Sequence, residues 1–110
     1  MKLNEIIKKA ELEILTNIEE RDVKGVFISD MLSDVMTNAK VENIWLTTQT
    51  HTNIISAANL IDISAIIVTL GKKVPEKTVE LANRYHAVVL STPKSSFELA
   101  RKLIEIGLEA

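Results

Sequence analysis

The chain has 110 residues, 46% hydrophobic and 25% charged, with a net charge of −2 and no cysteine. That length fits one domain with a core of its own, so a single domain over 1–110 is expected. The charge leaves no basic excess for nucleic acid, and the lack of cysteine removes disulfides, thiolate nucleophiles and thiolate metal sites.

The first element is a helix. Leu3, Ile6, Ile7 and Ala10 recur at helical spacing, with Lys8, Lys9 and Glu11 on the other side. Leu12 and Ile14 alternate with Glu13, which predicts a short strand at 12–15, placed at a sheet edge and possibly antiparallel. Val23 to Ile28 reads as a buried strand through Val26, Phe27 and Ile28. Ser29 or Asp30 can cap the helix that follows, because their side-chain oxygens accept from a first-turn amide. That helix places Met31, Leu32, Val35, Met36 and Ala39 on one stripe and ends near 38–40. Met31, Met36 and Trp45 are read as core.

Ile44-Trp45-Leu46-Thr47 is the next strand, and a polar run follows it, Thr47 to Asn53. Helix 52–61 is apolar over most of its circumference, so deep packing is expected. Ala65 to Val68 is a further strand, closed by Thr69-Leu70-Gly71. Pro75 suits a helix start, and a helix over 76–85 is expected. Val88 to Leu90 is the last strand, ended by Ser91-Thr92-Pro93. In the final helix, 95–106, Phe97, Ala100 and Ile104 form one stripe. Leu99, Leu103, Ile106 and Leu108 are apolar in excess of it and predict a homodimer contact.

Continuous apolar strands alternating with helices predict an α/β fold: a mainly parallel sheet of four to five strands with helices on both faces. No apolar run reaches the ~20 residues of a membrane helix. The charged start, Lys2 and Glu5, is unlike a secretory leader. A cytoplasmic location and no membrane partner are expected.

Ligands of open parallel sheets bind outside the carboxyl ends of the strands. Those ends are rich in hydroxyls and amides here: Ser29, Asp30, Thr47, Thr48, Gln49, Thr50, His51, Asn53, Thr69, Gly71, Ser91 and Thr92. They form the candidate ligand-binding set, suited to a nucleotide or small anion. The bland alternative is helix capping, which uses the same residue types. The run 47–53 is longer than one cap requires, and it is the favoured part of the rim, as a binding surface and not as a catalytic centre. Gly71-Lys72-Lys73 adds a short basic loop on that rim, able to attract an anion.

Catalysis has less support. His51 is the one histidine near the rim, and acid–base work there would need a partner such as Ser29, Asp30 or Thr69. A metal site drawn from Asp30, Asp34 or Asp62 has no defining spacing. Three glycines allow neither a phosphate-binding P-loop nor a dinucleotide fingerprint. No catalytic residues, metal or cofactor are expected.

Two phrases carry a family resemblance. Val23-Lys24-Gly25-Val26-Phe27-Ile28-Ser29-Asp30-Met31-Leu32-Ser33-Asp34-Val35-Met36 resembles single-domain members of the DRTGG domain family, as does Trp45 to Ile54; Phe97 to Ala100 adds a weaker third. The resemblance implies a fold like the amino-terminal domain of HPr kinase/phosphorylase and an accessory or regulatory role, often with self-association. It implies no catalytic set. Where the family's Asp-Arg pair would fall, this chain has Thr50-His51; where Thr-Gly-Gly would fall, it has Thr69-Leu70-Gly71. The expected function is a non-enzymatic regulatory or ligand-sensing domain. The alternatives are a small enzyme centred on His51 and a pure dimerisation module.

Overall fold

The computed structural model describes Met1–Glu109. Ten elements follow in order: α1 (Leu3–Lys9), β1 (Glu13–Ile14), β2 (Val26–Ile28), α2 (Leu32–Asn38), β3 (Ile44–Thr47), α3 (Asn53–Ile61), β4 (Ala65–Val68), α4 (Glu76–Arg84), β5 (Val89–Ser91) and α5 (Ser96–Glu105). The five strands make one sheet in the order β1-β5-β4-β3-β2. β2 to β5 are parallel, and β1 pairs antiparallel with β5 at the edge. The expected architecture is therefore found, including the short edge strand.

Each new parallel strand is laid on the same side of the last. Right-handed crossovers that always advance one way must put their helices on one face. Accordingly α2, α3 and α4 share a face, where Val35, Ile54, Ile55 and Ala82 meet Trp45, Ile66, Val68 and Val89. The other face is covered from the chain ends. Leu3 and Ile6 of α1 and Leu99 and Leu103 of α5 meet Ile44, Leu46, Ile67 and Leu90. Strand side chains alternate between the two cores with period two. This explains why β3 and β4 are buried at every position and apolar at all but Thr47, the last residue of β3.

Three sequence expectations change. Trp45 is fully buried, and its Nε1 donates to the Ser29 carbonyl at 2.8 Å, but Met31 and Met36 are 60% and 43% exposed. Met31 is the extended residue before α2, so helical spacing does not apply to it. The helix itself is short, packs against α3 and buries only Val35. In α5 the two apolar rows exchange roles. Leu99, Leu103 and Leu108 are buried, whereas Phe97 and Ile104 are 79% and 61% exposed. Leu99 and Leu103 are therefore core residues and not an interface surplus.

The third change concerns capping. No side chain caps α2; Ser29 Oγ accepts from the Met31 amide at 3.0 Å, while Asp30 turns away toward β3. The capped helix is α5, where Ser95 Oγ accepts from Glu98 N and the Glu98 carboxylate accepts from Ser95 N, each at 3.2 Å.

Candidate functional site

The carboxyl ends of the parallel strands lie on one rim, and the rim divides in two. After β2 and β3, both connections leave toward α2 and α3 on the same face. Asp30 sits between them as a hub. Its Oδ1 accepts from Thr47 Oγ1 at 2.8 Å and Thr48 N at 2.7 Å, and its Oδ2 accepts from Thr48 Oγ1 at 2.8 Å. Gln49 Nε2 donates to the Asp30 carbonyl at 3.2 Å, and Gln49 N donates to Thr47 Oγ1 at 3.1 Å. Desolvation pushes the Asp30 carboxyl up, but the Thr48 amide and the Thr47 and Thr48 hydroxyls together outweigh it. They leave the group below its ordinary value.

Beyond Gln49 the run is tied down at the Thr50 carbonyl and at the His51 ring. The Thr50 carbonyl accepts from Thr78 Oγ1 at 2.8 Å, stapling the run to α4. His51 is exposed, and its Nδ1 accepts from Asn53 N at 3.2 Å and faces Thr52 Oγ1 at 3.4 Å. None of its hydrogen bonds reaches Ser29, Asp30 or Thr69, so the partnership that acid–base chemistry needs is not formed. Thr69 is fully buried, with Oγ1 near the Thr47 carbonyl and Ser96 Oγ. Among the described residues no cluster of three or more His, Asp or Glu could hold a metal ion.

The other half of the rim opens. The connection after β4 leads to α4, whereas the one after β5 crosses to α5 on the opposite face. A crevice is expected where neighbouring connections part in this way. Beside the end of β5 lies a cleft of about 510 Å³. Ser91 at the end of β5 and Thr92 after it line the cleft, and Glu13 of β1 with the following Leu15 walls it. Gly71 to Val74, together with Val79 of α4, close the opposite side. Its size is within the ~300–1,000 Å³ of small-molecule sites.

Local backbone geometry shapes this cleft. Leu70 and Gly71 both have left-handed φ, 60° and 61°. A Cβ on Gly71 would meet nothing nearer than 3.9 Å, so the conformation, and not space, calls for glycine there. Leu70 N donates to the Lys94 carbonyl at 2.8 Å and Gly71 N to the Thr92 carbonyl at 2.9 Å, which clips the two diverging loops together. Thr92 Oγ1 accepts from Lys94 N at 3.2 Å. Lys72 and Lys73 emerge exposed from this turn, and among the described residues neither pairs with a carboxylate.

Of the candidate set, Gly71, Ser91 and Thr92 thus meet in one cleft. Asp30, Thr47, Thr48 and Gln49 meet in a self-satisfied cluster. Ser29, Thr50, His51, Asn53 and Thr69 lie outside the cleft. Glu13, Leu15, Val74 and Val79 line the cleft without having been singled out from sequence. The alternation at 12–14 was a signal for Glu13, but nothing in it named β5 as the pairing strand.

The DRTGG domain family matches residues 5–106. The chain belongs to the DRTGG domain family. No curated protein matches it. A solved structure of similar fold is the CBS and DRTGG domains of the regulatory region of Clostridium perfringens pyrophosphatase, complexed with its activator, diadenosine tetraphosphate. The TM-score is 0.75 at 21% identity, over 93% of this chain and 45% of that one. This DRTGG chain therefore spans less than half of that regulatory region. No helix among the described residues is long and apolar enough to cross a membrane.

Proposed function

We propose that this DRTGG domain is a regulatory, ligand-sensing module without chemistry of its own, and that it takes a nucleotide or small anion in the cleft beside β5. The observation that carries this is the position of the cleft. It lies where the connections after β4 and β5 part to opposite faces, and it is lined by two lysines that pair with no carboxylate among the described residues. Lys72 and Lys73 supply charge for an anion, and half-buried Leu15, Val74 and Val79 supply apolar contact for a base or other flat group. The fold likeness to a regulatory region that binds a nucleotide activator supports the class of ligand. That region contains CBS domains as well, so the likeness supports the class and not the pose.

Within the 47–53 run, Thr47, Thr48 and Gln49 spend donors on Asp30, and its carboxylate repels anions, so that part of the run fits this function poorly. Titration with AMP, ATP and diadenosine tetraphosphate, followed by amide chemical shifts, tests the reading. Shifts are expected at Lys72, Lys73, Ser91 and Thr92, with binding weakened about tenfold in K72A/K73A, which is ~1.4 kcal/mol. Shifts centred on Thr48 to Asn53, or none up to millimolar ligand, would sink it. Self-association is a second element of the proposal, favoured by Phe97 and Ile104 standing exposed on α5, on the opposite side of the sheet from the cleft.

A further inference from the structure

The cleft carries a carboxylate as well as two ammonium groups, and the combination restricts what it can accept. Glu13 begins β1 and lies opposite Ser91 in register. Its Oε2 accepts from Ser91 Oγ at 3.2 Å, which aims the carboxylate along the cleft wall. Among the described residues Oε1 accepts nothing, so an acceptor remains for a ligand. A compact polyanion drawn in by Lys72 and Lys73 would lie in the same cleft as Glu13, with no donor to offer it. A molecule with phosphate at one end and hydroxyl donors elsewhere would satisfy both walls.

The apolar side chains add a third requirement. Leu15, Val74 and Val79 offer surface for a flat, weakly polar group. Phosphate, base and sugar diol are joined in one class of small molecule, the ribonucleotides. Acidic residues receive ribose hydroxyls in other parallel-sheet nucleotide sites for the same chemical reason, because a carboxylate is acceptor-only.

We propose that Glu13 is the specificity-determining residue of this cleft and selects ribose-bearing phosphates over bare anions. The proposal rests on the cleft being the sensing site. Wild type, Glu13→Ala and Glu13→Gln are titrated with AMP, 2′,3′-dideoxy-AMP and inorganic pyrophosphate, with cleft amide shifts and heat of binding as readouts. Wild type should hold AMP about tenfold more tightly than the dideoxy analogue, as expected when a charged acceptor loses its donor. In Glu13→Ala that difference should disappear. Pyrophosphate should bind both variants more tightly than wild type, because both remove the opposing charge.

Equal affinity of wild type for AMP and either comparison ligand would overturn the selection while leaving anion sensing in place. So would discrimination that survives in Glu13→Ala. If none of the three ligands shifts a cleft amide, the sensing site itself is wrong and the selection falls with it. Glu13 is exposed and outside both cores, so the variants should fold; Glu13→Gln keeps the side-chain shape should Glu13→Ala disturb β1.

Discussion

Asp30 organises more of the rim than any other side chain. Removing its carboxylate leaves the buried Thr47 hydroxyl and the Thr48 amide without their acceptor. D30A should therefore lower stability by about 2 kcal/mol, measured by urea denaturation at pH 7. The acid dependence has a definite sign. Because the folded carboxyl sits below its ordinary value, its contribution is complete above the unfolded carboxyl's range. It is lost as pH falls through the folded value. Glu5, Glu19 and Asp22 are also held low by Lys9, Arg21 and Lys2, so the wild-type slope includes theirs. The gap between wild type and D30N isolates Asp30 and should close on moving from pH 7 toward pH 2.

Among the elements, α5 separates what pattern can decide from what it cannot. Phe97–Ala100–Ile104 and Leu99–Leu103–Ile106 are both acceptable helical rows, and periodicity alone does not choose between them. A charge signal was present: Arg101 stands on the Phe97–Ile104 side of the helix and pairs with Glu105 in the exposed flank. L103A should cost about 2–5 kcal/mol, F97A within about 0.5 kcal/mol, and S95A about 1 kcal/mol for the lost cap. Thermal or urea melts of the three variants check the order. The strands were easier to read than the helices. Ile44–Leu46 and Ala65–Val68 are short continuous apolar runs bounded by polar residues, as expected where both faces of a parallel sheet are covered. Glu13–Ile14 was readable as a strand, yet its partner was not, since pairing across most of the chain leaves no local mark.

For the whole molecule, the two-sided covering of the sheet separates candidate functions by face. The cleft opens on the α4 side, while Phe97 and Ile104 face solvent on the α5 side, so occupancy of one leaves the other free. A dimer seated on α5 predicts that sedimentation equilibrium gives twice the chain mass for wild type and a single chain mass for F97E/I104E, with nucleotide affinity unchanged. A monomeric wild type rejects that interface. The site was less legible than the fold because polar residues after strands look alike whether they bond inward or outward. Thr47 and Thr92 are both buried threonines at strand ends, and only the direction taken by the next connection distinguishes the sealed end from the open one.

The edge strand β1 has a consequence for assembly. Every parallel pairing joins strands separated by a single crossover, so β2 to β5 can zip together from neighbouring units with short loops to close. β1 joins β5 through Glu13 and Ser91, 78 positions apart, and it does so with two residues. Closing the longest loop for the smallest ladder places this step late on the folding route. The expected outcome is that substitutions in β1 speed unfolding and leave the folding rate nearly unchanged, with one wall of the cleft formed after the parallel core; folding and unfolding rates of Glu13 and Ile14 variants check this.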